Sequence, residues 1–279
     1  MANDIELIPV DAERLKQIQI QILDTVHEFC EKNGIKYWLD SGTLLGAIRH
    51  KGYIPWDDDI DIGMLRPDFD KFMQTFNGDN VKYKAYCYEN NKDFPYAYGK
   101  VMDTDTVLYE AGNKNAKTYI NIDVFVFDNA PADDKELKKM YEKRSKYNLY
   151  NLAKFAQTKP SGNFMRRAAV RGFRLLIKPL SKGHFAKKIV KNSRKYSEVE
   201  TGYIGNFTGY LANFKCNKNA VDTVVDVEFE GKLYKAPSRY DEWLTLEYGD
   251  YMQLPPVEKR VSHHFFEAYE VKENKALEE

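Results

Sequence analysis

Between Tyr37 and Gly63 the chain reads YWLDSGTLLGAIRHKGYIPWDDDIDIG, which packs Asp57, Asp58, Asp59 and Asp61 behind a Ser-Gly turn. Ile60 and Ile62 alternate with Asp59 and Asp61, the pattern of a strand with one buried face. Strand side chains alternate between faces at about 3.3 Å per residue, so Asp59 and Asp61 are expected to project the same way, about 6.6 Å apart at their α-carbons. Asp57 shares their parity. Asp58 does not and is read as structural or solvent-facing. Carboxylates held this close repel unless a cation sits between them, and hard oxygen ligands suit Mg²⁺. An acidic run by itself is ordinarily a solvated loop; the apolar alternation argues for fixed carboxylates instead.

A second acid stands out in YINIDVFVFD, where Ile120, Ile122, Val124 and Val126 share one parity and Asn121, Asp123, Phe125 and Phe127 the other. A lone carboxylate in an apolar strand needs a partner, and a metal, a salt bridge or a strand-end cap would each serve Asp123.

Around these acids the pattern is mixed. Leu15, Ile18, Ile22, Val26 and Phe29 recur at helical spacing, with Asp11 as N-cap and Asn33-Gly34 as stop. A strand over Ile35 to Leu39, a short helix through Thr43 to Arg49 and a strand ending at Gly63 follow, then a helix with Pro67 in its first turn. VKYKAYCY, YAYGKVM and TVLYE read as further strands, and the stretch from Asp133-Asp134 through ELKKMYEKRSKYNLYNLAKF as helix. EFEGKLYKAP predicts a hairpin with Glu230-Gly231 at its turn, and SRYDEWLTLEYGD a helix with Ser238 as N-cap and Gly249 as stop.

Residues 159–197 carry no acid. Within them Arg167, Arg171, Arg174 and Lys178 form one stripe, and Ala169, Phe173, Leu176 and Leu180 another about 200° away. Two uses fit: an apolar face on the core with the basic face along an anionic ligand's path, weighted first, or an interfacial helix that gives residues 163–195 peripheral contact with an anionic membrane.

The 279 residues suffice for a large core, and 42 basic against 42 acidic residues give no overall charge that argues for nucleic acid. Cys30, Cys87 and Cys216 are odd in number and match no metal spacing, which fits a reduced, cytosolic protein. Neither a signal peptide nor a membrane-spanning run is expected. A turn offering backbone N–H groups at Ser41-Gly42-Thr43, with three carboxylates and a cation, makes a phosphoryl-transfer site.

The segment WLDSGTLLGAIRHKGYIPWDDDIDIG resembles the signature of the LicD family, and NIDVFVFD and YGDYMQLPPVEKRVSHH extend the resemblance over most of residues 10–270. That resemblance implies an α+β chain: a nucleotidyltransferase-like mixed sheet flanked by helices in 1–130, a basic helical insertion in 131–200, and a C-terminal lobe in 201–279 that completes the active site, all as one unit. It also implies transfer of a phospho-alcohol from a CDP-alcohol donor, CDP-choline first, to a glycan acceptor of teichoic-acid or capsule type, with CMP leaving; if that acceptor is lipid-linked at the inner membrane face, the basic helix could bring the enzyme there. Ribitol or glycerol phosphate transfer is the second choice. A nucleotidyltransferase releasing pyrophosphate and a non-enzymatic glycan-binding protein are the readings from other classes.

Carried over by position, Mg²⁺ (or Mn²⁺) falls to Asp59 and Asp61, with Asp123 as third carboxylate, either ligand or base. Ser41, Gly42 and Thr43 correspond to the superfamily's phosphate turn with serine and glycine in the opposite order, which leaves open which hydroxyl touches phosphate. Arg49 and Lys51 would clamp a diphosphate. Arg260 and a histidine, His264 in preference to His263, complete the set. Trp56, with Trp38, offers aromatic faces to a quaternary ammonium.

Overall fold

Helix α1 (Ala12–Asn33) follows an edge strand, β1 (Ile5–Val10), and is closed at both ends by its own sequence. Asp11 accepts from the Arg14 backbone N–H at 2.8 Å, and Gly34, at φ 60°, takes the left-handed conformation that ends a helix. The computed structural model describes residues 5–79, 82–110, 117–155, 164–209, 214–261 and 266–273. His263 and His264 lie outside them.

After α1 come β2 (Trp38–Leu39), α2 (Ser41–His50), β3 (Asp61–Leu65), α3 (Arg66–Asp79), β4 (Tyr83–Tyr86), β5 (Gly99–Asp103), β6 (Thr106–Glu110), β7 (Lys117–Thr118) and β8 (Asn121–Asn129). Three helices follow, α4 (Asp134–Phe155), α5 (Phe164–Ile177) and α6 (His184–Ser193). The remainder is β9 (Tyr203–Gly205), β10 (Cys216–Asn217), the hairpin β11 (Val224–Phe229) and β12 (Lys232–Pro237), α7 (Tyr240–Tyr248), and β13 (Phe266–Glu273). The fold is α+β with a mixed central sheet in the order β10-β9-β8-β3-β2, to which β5 adds on β8 and β4 on β5. Only β3 and β8 run parallel among these described pairs; the rest are antiparallel.

Strand β8 is the spine. On one face its Phe127 ring, with those of Trp38 and Phe214, meets Trp243 of α7 at 5.0, 5.6 and 4.6 Å. The opposite face receives α1 and α3, whose Phe29 ring meets those of Phe72 and Phe76 at 5.9 and 5.1 Å. Both faces are therefore apolar, as an interior strand requires.

Several expectations need correction. The strand foreseen over Ile35 to Leu39 is only Trp38–Leu39, because the Ile35 N–H is spent on Cys30 O and the Lys36 N–H on the Asp68 carboxylate. Residues 57–60 precede β3 rather than belong to it, so strand parity does not govern Asp57, Asp58 and Asp59. Ser238 continues the hairpin through its N–H to Thr223 O, and Arg239 stands at the N-terminus of α7. A second sheet, β1-β13-β6-β7, joins the two ends of the chain and was not foreseen. On α5, Phe173 packs on Tyr150 at 5.0 Å, but Leu176 of the same stripe is 77% exposed, so that face meets the core only in part.

The helical region is tied to the sheet by a buried ion pair. Arg66 Nε and Nη2 both donate to Asp128 at 2.7 Å, and Ser193 at the end of α6 donates to the same carboxylate. Asp128→Asn would leave a buried guanidinium short of its counter-charge, and a loss of about 3–5 kcal/mol in urea unfolding is expected; a loss under about 1 kcal/mol would contradict the pairing.

Candidate active site

One row across the sheet carries four charged residues. Asp61 of β3 lies directly opposite Asp123 of β8, and Asp123 directly opposite Lys100 of β5. On the other side the Asp40 N–H donates to Asp61 O at 3.0 Å, extending the row by one more acid. Directly opposed residues project to the same face, so strand pairing gathers two carboxylates and an ammonium, and the Asp40 contact just beyond β2 adds the third acid.

Lys100 is 7% exposed, and its Nζ donates to Asp123 Oδ1 at 2.6 Å and Asn121 Oδ1 at 2.9 Å. Tyr96 and Tyr98 hold the same ammonium over their rings at 5.1 and 5.6 Å. The partner that Asp123 required is thus a lysine. Asp61 is pushed well above the usual carboxylate range, first by burial and then by the charges of Asp59, Asp123, Asp40 and Asp57. Asp57, Asp58 and Asp59 each bring a carboxylate oxygen within 4.8 Å of the others. Asp58 therefore does not point away as strand parity suggested; it sits with its neighbours because the backbone there is a loop. Oxygen donors crowded to this degree fit a hard divalent cation.

The loop is held by Gln19, a polar residue on the buried face of α1. Its Nε2 donates to Asp58 O at 3.0 Å and Asn121 O at 3.4 Å, and its Oε1 accepts from Tyr53 at 3.0 Å.

Helix α2 starts beside the acids. Thr43 Oγ1 accepts from the Asp61 N–H at 2.8 Å, so this hydroxyl positions the strand. A methyl at Gly42 would stand 2.5 Å from Asp57 Oδ2, which explains the glycine: the carboxylate occupies that space. Ser41 has φ 49°, and its hydroxyl is buried near Glu247 of α7. Asp40 is wholly buried, with Trp243 Nε1 donating to it at 3.0 Å. Burial raises the Asp40 carboxyl to about 7 and the Glu247 carboxyl to about 8, the Asp40 charge adding to the second.

At the far end of α2 two cations gather. Arg49 Nη1 donates to Tyr251 O at 2.6 Å, and its charge is opposed by burial and by Arg260. The Arg260 guanidinium lies over Trp56 at 5.7 Å, and Trp56 meets the His50 ring edge-on at 6.4 Å. Neither arginine has a carboxylate at ion-pair distance among the described residues. Like charges brought together without counter-ions suit an anionic ligand. Lys51 is exposed at φ 61°, capping α2 through its N–H to Gly46 O. Trp38 is wholly buried in the aromatic cluster and presents no face to a ligand.

Sequence reasoning brought Asp59, Asp61, Asp123, Trp56, Arg49 and Arg260 forward but not Lys100, Asp40, Gln19 or Glu247. Lys100 had a signal, a lone base in YAYGKVM. Gln19 had another, an amide in an apolar helical stripe.

The site is a cluster of carboxylates set on and just before the neighbouring strands β3 and β8, beside a helix N-terminus and a pair of arginines. The chain belongs to the family described as LicD/FKTN/FKRP, nucleotidyltransferase domain, whose model matches residues 34–192. It is 32% identical over 262 residues to the lipopolysaccharide cholinephosphotransferase LicD of Haemophilus influenzae, covering 90% of this chain and 94% of that protein. It is also 53% identical over 38 residues to the human ribitol 5-phosphate transferase FKRP, 14% of this chain and 8% of that one. To the human ribitol-5-phosphate transferase FKTN it is 25% identical over 118 residues, 42% and 22% of the two chains.

Glu247 binds its proton more tightly folded than unfolded. The stability this lends is complete below about 4, where an unfolded glutamate titrates, and is lost as pH rises through the folded value near 8. Glu247→Gln should therefore gain stability relative to the parent between about pH 5 and pH 8.5, read as the difference in Tm in EDTA. A difference that stays flat or runs the other way would contradict it.

Proposed function

We propose that this chain transfers phosphocholine from CDP-choline to a hydroxyl of a cell-surface glycan precursor, of teichoic-acid or capsule type, and releases CMP. The observation that carries the reading is the Asp61–Asp123 pairing beside the Asp57–Asp59 loop, in a chain similar along nearly its whole length to a cholinephosphotransferase. The core is read as nucleotidyltransferase-like for the same reason, with Mg²⁺ or Mn²⁺ held by Asp59 and Asp61, joined by Asp57 and, as third carboxylate, Asp123. The chemistry such a cation supplies is neutralisation of charge on the diphosphate.

The chain's own groups do the rest. Arg49 and Arg260 bind the donor diphosphate, with Trp56 fixing the second guanidinium. Ser41, Gly42 and Thr43 form the first turn of α2, at the acidic end of that helix, and would meet the donor on the metal side rather than at the arginines. Thr43 keeps Asp61 in register. Lys100 fixes Asp123 through one carboxylate oxygen, and Asp123 serves either as the third metal ligand or as the group that accepts the acceptor hydroxyl's proton. A residue following Arg260, His264, completes the donor site on the family pattern; it lies outside the described residues.

Ribitol phosphate is the second reading, supported by the 53% identity to FKRP across the signature segment. No described helix is long and apolar enough to cross a membrane. A cytoplasmic enzyme working on a lipid-linked acceptor at the inner membrane face is the setting proposed.

With Mg²⁺, CDP-choline and a glycan acceptor, the purified chain should release CMP, and Asp61→Asn should lose on the order of 10³-fold in turnover while keeping the parent's circular dichroism. Turnover of CDP-ribitol alone would select the second reading. Pyrophosphate release from CTP, or near-normal turnover by the Asn variant, would overturn the assignment.

A further inference from the structure

We infer that the α4–α5 hairpin is a docking surface for an anionic lipid bilayer. It deepens the acceptor side of the proposed function, but it rests on surface observations that are independent of the donor.

Four large aliphatic side chains stand in water on these two helices: Leu149 at 63%, Leu152 at 49%, Leu175 at 71% and Leu176 at 77% exposure. They are not partners left over from the hairpin's own packing. The helices meet through Tyr150 and Phe173, with ring centroids 5.0 Å apart, and through Arg174 Nε donating to Ala153 O at 2.7 Å. Tyr150 also meets Phe185 of α6 at 5.7 Å, and Ile177 is buried. At about 100° per residue, Leu175 lies on the side of α5 opposite Phe173, while Leu176 and Gly172 lie about 60° and 100° to one side of it, at the margin of the contact with α4, and all three are exposed. Arg171 and Lys178, both exposed, lie beside Leu175, about 40° and 60° from it on one side.

Along the segment that carries these leucines the charge has one sign. From Lys143 to Ser197 the chain has no aspartate or glutamate and sixteen lysines and arginines. An apolar centre with a basic margin matches an anionic bilayer, where aliphatic side chains enter the acyl boundary and the cations remain among the headgroups. A second copy of this chain is the poorer match. A two-fold contact through this surface would set one basic margin against the other.

The hairpin is also joined to the frame of the active site. Asn151 Nδ2 of α4 donates to Pro95 O at 2.7 Å, on the segment that enters β5 with Tyr96, Tyr98 and Lys100. Asn148 donates to Gly209 O at 3.2 Å, and Gly209 lies against Phe125, two residues beyond Asp123. A bilayer on this surface therefore presents its lipid-linked components to the lobe that carries Asp123.

The test is co-sedimentation of the full chain, without nucleotide, with vesicles of phosphatidylcholine alone or mixed with phosphatidylglycerol. Binding to the mixed vesicles should be at least about tenfold tighter and should weaken as salt rises from roughly 0.05 to 0.5 M. Leu175→Ser/Leu176→Ser, Leu149→Ser/Leu152→Ser and Arg171→Glu/Lys178→Glu should each weaken it about tenfold, with Tm within about 2 °C of the parent because all the replaced side chains are exposed. Equal binding to both vesicle types, parental binding by the leucine variants, or a dimer in sedimentation velocity that Leu175→Ser/Leu176→Ser abolishes would overturn the inference. CMP release from CDP-choline is a separate readout, so a failure here is distinct from failure of the donor reading.

Discussion

The parallel pairing of β3 with β8 is the constraint on which the rest depends, because its register sets Asp61 against Asp123. Two carboxylates on adjacent strands, about 4.8 Å apart in the pairing direction, would repel strongly in a partly buried place. A one-residue slip would relieve that repulsion, but it would also turn the apolar residues of β8 to the wrong faces. The aromatic cluster of Trp38, Phe127, Phe214 and Trp243 on one side, and the α1–α3 layer on the other, hold the register against the charge. The register thus keeps two acids side by side, and Asp61 holds its proton well above the usual carboxylate range, by burial first and then by the neighbouring charges.

Everything at the site is arranged about that pairing. Lys100 answers the charge of Asp123 from β5, and Thr43 and the Asp40 N–H bind the backbone of Asp61 on either side of its Cα. Gln19 ties the acidic loop to β8 by two backbone carbonyls, which is why α1 carries an amide where its pattern calls for an aliphatic. The C-terminal part contributes Glu247, Tyr251 and Arg260, so the site draws on residues more than two hundred positions apart.

Local signals were legible where one segment determines its own structure. The ends of α1 follow from Asp11 and Gly34, the hairpin turn from Glu230-Gly231, at φ 51° and 74°, and β8 from its apolar alternation. What escaped were relations between distant segments. Strands β1 and β13 come from opposite ends of the sequence and pair with each other, with β6 beyond β13, and Pro9 reads as a breaker until β1 is known to be an edge. Lys100 could be seen as an odd base in a strand, but not as the residue opposite Asp123. Parity failed at Asp58 because the strand begins three residues later, at Asp61. On α5, periodicity located the stripes and left open what covers them; Leu176 in water shows that the core covers only part.

The central claim is that Asp61 and its acidic neighbours form a single cation site built by strand register. Titration of the purified chain with Mn²⁺, followed by the electron paramagnetic resonance signal of the free ion, measures it directly. Saturable binding that Mg²⁺ displaces, and that is weakened at least about tenfold in Asp61→Asn and Asp59→Asn but retained in Glu136→Gln on the surface of α4, is the result expected. Equal Mn²⁺ binding by the parent and the Asp61 variant would contradict it.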